Sequence, residues 1–164
     1  MLLCIGRMRL ILTLLAVLLV GCSTAPRHHT PSSAQGTSVI SAPLARDVVI
    51  HAISLVGTPY RYGGNTPSGG FDCSGLIHYV YRSTAQAIPP RTVAQLAQWG
   101  RGVSPGARRA GDLVLFGRGG RPTHAGIYVG GGRFVHAPSS GGAVRMDHLD
   151  SHYWSRQKVS FRRP

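Results

Sequence analysis

A cysteine sits inside the stretch FDCSGL, Phe71 to Leu76, with the glycine pair Gly69–Gly70 ahead of it and an apolar run behind it. A thiol becomes a good nucleophile as its thiolate, and a helix N-terminus or a neighbouring imidazolium lowers its pKa. The pattern predicts that Cys73 opens a helix, where backbone N–H groups lack partners and the dipole end is positive. Those amides are also suited to hold a developing oxyanion. Gly69, Gly70 and Gly75 let a substrate approach the backbone closely. What FDCSGL lacks is a base.

The chain has eight histidines from which to supply one. His28 and His29 fall in a polar, Ser/Pro-rich stretch and read as solvated. His51 lies in an apolar helical pattern and reads as a core-edge residue. His78 is five residues beyond Cys73 on the same predicted helix, and that spacing does not share a face. His124 starts a predicted strand and His136 ends the next one, with Gly130-Gly131-Gly132 between them as a hairpin signal. The two imidazoles then lie near the open end of one hairpin, one as base and the other orienting it. Two satisfied structural histidines remain the plainer alternative. Cys73, His124 and His136 could in principle ligate zinc, but the short paired spacings of zinc sites are absent. The five acids are all aspartates. A two-carboxylate glycosidase would have to use a pair such as Asp147 and Asp150, which flank His148 in a turn-like end segment.

Elements must bring these residues together. Leu44 to Val56 has helical apolar spacing and stops at Gly57. TPYRYGGNTPSGG reads as loop. A second helix is expected from Cys73 to about Ala85 with Asp72 as its cap, and a short third one over Thr92 to Trp99. From residue 112 the pattern turns to strands: Asp112–Phe116, His124–Val129 and Arg133–His136, with weaker ones at Ala143–Met146 and Lys158–Arg162. Helices first and an antiparallel sheet after them indicate an α+β domain.

The N-terminal segment reads as separate from that domain. Arg7 and Arg9 precede LILTLLAVLLV, an apolar run too short to span a bilayer but suited to a signal-peptide core. Its end, Leu19-Val20-Gly21-Cys22, resembles a bacterial lipobox. Residues 1–21 are therefore expected to be a lipoprotein signal peptide. Residues 22–42 would be a lipidated Cys22 with a flexible tether, and residues 43–164 the folded domain. Cys4 would leave with the signal and Cys22 would carry lipid, so that Cys73 is the remaining thiol. The formal net charge of +13 draws such a chain to polyanions. For an exported lipoprotein those are anionic lipid and acidic cell wall, not nucleic acid.

Four stretches in order, PYRYGG, FDCSGL, GDLVLF and THAGIYVGGGRFVHA, resemble the NlpC-type family of bacterial cell-wall peptidases. The resemblance runs from about Leu44 to Trp154. It implies a papain-like fold, with N-terminal helices packed on an antiparallel sheet, and a cysteine endopeptidase that cuts peptidoglycan stem peptides without a cofactor. By motif, Cys73 matches the nucleophile, His124 the general base and His136 the residue that orients it. Tyr60 matches a residue whose hydroxyl assists the oxyanion. Asp72 and Ser74, which flank the nucleophile, and Arg91 match positions that help bind substrate. Capping remains an equal role for Asp72, and a structural role remains open for Arg91. Asp112 matches a structural strand start. The bond implied is either D-alanyl–diaminopimelate or D-glutamyl–diaminopimelate. An amidase or acyltransferase on the same scaffold, or an inactive wall-binding lipoprotein, is the alternative. Lipid on Cys22 followed by Ser23 implies a place in the cell envelope, at the outer membrane facing the periplasm in a Gram-negative host. A protein regulator is expected.

Overall fold

A computed structural model of the chain describes residues 40–140 and 142–164. The expected signal segment, Cys22 and most of the tether lie outside the described residues.

Helix α1 spans Ala42–Ser54, with Pro43 in its first turn, and buries Val48 and Ala52. Proline suits that place because the first turn has no use for its missing N–H. The helix thus begins two residues earlier than Leu44, inside the stretch expected to be tether. Helix α2 spans Cys73–Ala85, as expected from the sequence. It buries Leu76, Ile77, Val80 and Tyr81 completely. Helix α3 is a single turn, Val93–Leu96, capped by Thr92. The expected continuation to Trp99 is instead a pair of tight turns, in which Gln98 N–H donates to Gln95 and Trp99 N–H to Leu96.

Among the described residues there are eight strands. β1 (Asn65–Thr66) and β2 (Gly70–Phe71) form a small hairpin within the stretch expected to be loop. β3 (Arg101–Val103), β4 (Leu113–Arg118), β5 (Arg121–Gly130), β6 (Arg133–His136), β7 (Arg145–His148) and β8 (Lys158–Arg163) build one six-stranded antiparallel sheet. Its order is β3-β8-β4-β5-β6-β7. β1–β2 and β3 were not expected, because strands of two or three residues carry no readable alternation. β7 starts at Arg145 and not at Ala143. Residues 143 and 144 are held elsewhere: Val144 N–H donates to Thr58, and Gly57 N–H donates to Val144, both at 2.8 Å.

The apolar run of β4 is explained by burial on both faces. Leu113 and Leu115 join the core beneath the helices. Val114 and Phe116 alternate to the other face and pack with Phe134, Trp154 and Phe161. The β5–β6 hairpin closes through Gly131 and Gly132, at φ +57° and +72°. A two-residue turn whose central residues are both left-handed follows the sheet's twist and excludes most side chains. Asp112, just ahead of β4, receives Arg163 Nε at 2.7 Å and ties β8 to that strand. That supports the structural reading of Asp112.

Candidate active site

Asp72 is the N-cap of α2. Its Oδ1 accepts from Gly75 N–H at 2.6 Å, and its Oδ2 accepts from Gly63 N–H at 2.9 Å. The carboxylate therefore caps the helix and ties the PYRYGG loop to its start. Ser74 Oγ lies 2.7 Å from the Arg91 carbonyl and 2.9 Å from Asp72 Oδ1, so its one proton serves either acceptor. Arg91 in turn donates to the Gly63 carbonyl at 3.1 Å and sits 3.8 Å from Asp72 Oδ2. Gly75 has no room for a side chain, because a Cβ there would stand 1.9 Å from the Gly64 carbonyl oxygen. Tyr60 bridges Phe71 and is held by its N–H bond to Gly142 at 2.7 Å.

Tyr60, Asp72, Cys73, Ser74, Arg91 and His124 line one cleft of about 500 Å³. The residues selected from the sequence thus come together, with His136 behind His124 as a fully buried ring. His124 Nε2 and His136 Nδ1 are 2.8 Å apart. These two nitrogens face each other and do not converge on a third point, so a Cys-His-His zinc site is not the arrangement present. His51 and His78 are engaged elsewhere. His51 Nδ1 meets Ser83 Oγ at 3.2 Å, and His78 Nδ1 lies 2.7 Å from the Pro89 carbonyl.

Sequence reasoning missed two members of the site. Asp147 Oδ2 lies 3.0 Å from His136 Nε2. The same oxygen accepts from Trp154 Nε1 at 2.8 Å and from Arg145 Nε and NH2 at 3.2 and 3.1 Å. The indole of Trp154 also stacks on His124, with centroids 5.3 Å apart and planes at 24°. Asp147 lies one residue past the expected end of its strand, Met146, and shares a face with Arg145 only in the observed β7. As for the glycosidase pair, Asp147 is engaged behind His136, whereas Asp150 is exposed and 3.9 Å from His148. A second cleft, of about 760 Å³, shares His124 with the first and includes Arg145, Asp147, His148 and His152 in its walls.

The electrostatics correct one expectation. Burial pushes the Cys73 thiol up, and the Asp72 carboxylate adds to this, while hydrogen bonds from the Ala125, Ser74 and Cys73 amides pull the other way. The helix start acts as expected but is outweighed. No imidazolium is there to help, because burial drives His124 down to about 3, with His136 and Arg145 adding to the shift and Asp147 opposing it. His136 is driven down to about 4 by burial, against the pull of Asp147. At neutral pH the resting pair is therefore a thiol beside a neutral imidazole. Alkylation of Cys73 by iodoacetamide is expected to rise about tenfold per pH unit beyond pH 8.5, the ordinary thiol value. A rate that plateaus below pH 8 shows instead a preformed thiolate.

Comparison with known proteins gives the chain's family. The profile of the NlpC/P60 family matches residues 57–163. The murein DD-endopeptidase MepH of Escherichia coli (strain K12) is 41% identical over 113 residues, which is 66% of this chain and 41% of that protein. Less than half of MepH is therefore spanned. Murein DD-endopeptidase MepS/Murein LD-carboxypeptidase of the same organism is 33% identical over 165 residues, covering 90% of this chain and 87% of that protein. Among solved structures, the NlpC/p60 domain of the peptidoglycan hydrolase SagA superposes with a TM-score of 0.63 at 33% identity, over 71% of this chain and 96% of that one. With its helix-borne cysteine, its paired histidines and this extent of similarity, the chain belongs to the NlpC/P60 family.

Proposed function

We propose that this protein is a cysteine-type peptidoglycan endopeptidase, held in the bacterial envelope by lipid on Cys22, that cuts the D-alanyl–diaminopimelate cross-link. The observation that carries the reading is the cleft in which Cys73, at the start of α2, shares walls with His124, itself hydrogen-bonded to His136. The bond assignment leans on MepH and MepS, both named DD-endopeptidases. A DD bond joins two centres of D configuration, as that cross-link does.

In this mechanism the resting thiol is neutral and the base acts as the attack occurs. His124 takes the Cys73 proton while the sulfur bonds to the substrate's carbonyl carbon. The oxyanion that forms meets the amides of the α2 start and the Tyr60 hydroxyl. His124 then returns the proton to the leaving amine, and a thioester remains. Water attacks that thioester with His124 again as base and frees the acid. Burial keeps the imidazole neutral and ready to accept, and the exposed face of the cleft admits the long substrate.

The test is mass spectrometry of purified sacculi after digestion. Cross-linked dimers should fall and tetrapeptide monomers should rise in proportion. Muropeptides trimmed to dipeptides would assign the D-glutamyl–diaminopimelate bond instead, and unchanged muropeptides would reject the activity. Metabolic labelling with palmitate in a bacterial host should mark the protein and fail to mark Cys22→Ala.

A further inference from the structure

Four donor contacts converge on one oxygen, Asp147 Oδ2: His136 Nε2, Trp154 Nε1 and two nitrogens of Arg145. Indole and guanidinium nitrogens only donate, so this oxygen is an acceptor on every side. The proton of neutral His136 is therefore on Nε2, and its Nδ1 holds a lone pair. That lone pair faces His124 Nε2 at 2.8 Å, which must then be the protonated nitrogen of His124. Nδ1 is left as the basic nitrogen of His124. A strand-borne carboxylate thus dictates, through two rings, which nitrogen of His124 is free to take a proton.

The charge of Asp147 has a second consequence. When Nδ1 takes the thiol proton, His124 becomes a cation among the rings of Phe116, Trp154 and His136. Arg145, on the same strand as Asp147, opposes that cation. From the cleft, Cys73 and Asp72 at the start of α2, Tyr60 and Arg91 face it, while His148 and His152 line the cleft beyond. Behind the pair, Asp147 is the anion in direct contact with His136, and so the counter-charge nearest the relay on that side.

We propose that Asp147 is a positioning residue of the peptidase reaction: it fixes the proton arrangement of His136 and His124 so that Nδ1 of His124 is the base, and its charge sustains the cation formed there. The step moves one proton, from Cys73 Sγ to His124 Nδ1, as the sulfur's electron pair forms the bond to carbon. The protons on the two Nε2 atoms stay in place. The inference rests on the reading of His124 as base.

Two variants separate its parts. In Asp147→Asn, Trp154 and Arg145 still demand an acceptor, so the amide oxygen should occupy the same place, keeping the proton arrangement but losing the charge. In Asp147→Ala both are lost. Nitrogen-15 NMR of labelled full-length protein at pH 7 is expected to find Nε2–H on both rings in the wild type and in Asp147→Asn, and a mixture of tautomers at His136 in Asp147→Ala. On cross-linked muropeptides, kcat should fall about tenfold in Asp147→Asn and about 100-fold in Asp147→Ala, with KM within twofold, the range met when a hydrogen-bonded partner behind a metal-bound imidazole is removed. A merely structural role would reduce the folded fraction and leave tautomers and the kcat-to-KM split alone. The proposal is overturned by an Nδ1–H tautomer at His136 in the wild type, or by an Asp147→Asn variant with unchanged kcat. The NMR result stands without any activity, so a wild type that cleaves nothing rejects the peptidase reading and not the proton arrangement.

Discussion

Cys73→Ala folds and releases no muropeptides. The substitution removes a single sulfur atom from a half-buried position that opens, but does not cap, its helix. Asp72 still caps α2, and the apolar face beneath it is untouched. The thermal midpoint should therefore stay within a few degrees of the wild type. Activity should fall by a factor on the order of 10⁵ or more, the scale seen when a covalent nucleophile is deleted. Cys73→Ser is expected to be nearly as inactive. A hydroxyl is far less acidic than a thiol, and His124, held low by burial, is a weak base to activate it. Digestion of sacculi by either variant, followed by mass spectrometry, checks both. Wild-type rates from Cys73→Ala would remove the covalent mechanism altogether.

Gly75→Ala should do comparable damage by a different route. The added Cβ would sit 1.9 Å from the Gly64 oxygen and 3.1 Å from Arg91 NH1. The first of these is backbone and cannot rotate away. It is also a working acceptor, since Asp72 N–H donates to it at 3.1 Å. The loop must retreat from the α2 start, and the Asp72 bond to Gly63 stretches with it. Overpacking of this kind costs about 3 kcal/mol. Displacing the loop by about 1 Å would lower turnover roughly 100-fold, since Tyr60 travels with it. Urea denaturation and muropeptide release read the two effects separately. Gly106→Ala, where a Cβ meets nothing within 4 Å, should leave both near wild type. Equal stability of the two variants would mean that the loop yields without cost.

What could be read from the sequence was local. Asp72 followed by Cys73 and an apolar run announced a capped helix, and Gly131–Gly132 between two apolar stretches announced the hairpin. Both signals act within a few residues. Asp147 was hidden because its role depends on the register of β7 against β6, where His136 pairs with Arg145 and Phe134 with Asp147. In the sequence it stands between Met146 and His148 in a stretch expected to be a turn-like end segment. The resting thiol was misjudged for a related reason. A helix start is visible in the chain, but the burial that outweighs it depends on how distant segments pack around the thiol.

The nucleophile and its base belong to different layers of the fold. Cys73 is carried by a helix and His124 by the sheet beneath it. They meet where the Ala125 amide hydrogen-bonds the sulfur. Ala125 is fully buried, and its single methyl keeps the spacing between the layers small at that point. The reaction distance is thus a property of the hydrophobic filling as a whole. Side chains such as Ile77, Leu113 and Ile127, all in the core between helix and sheet, act as shims that set the separation of the two groups.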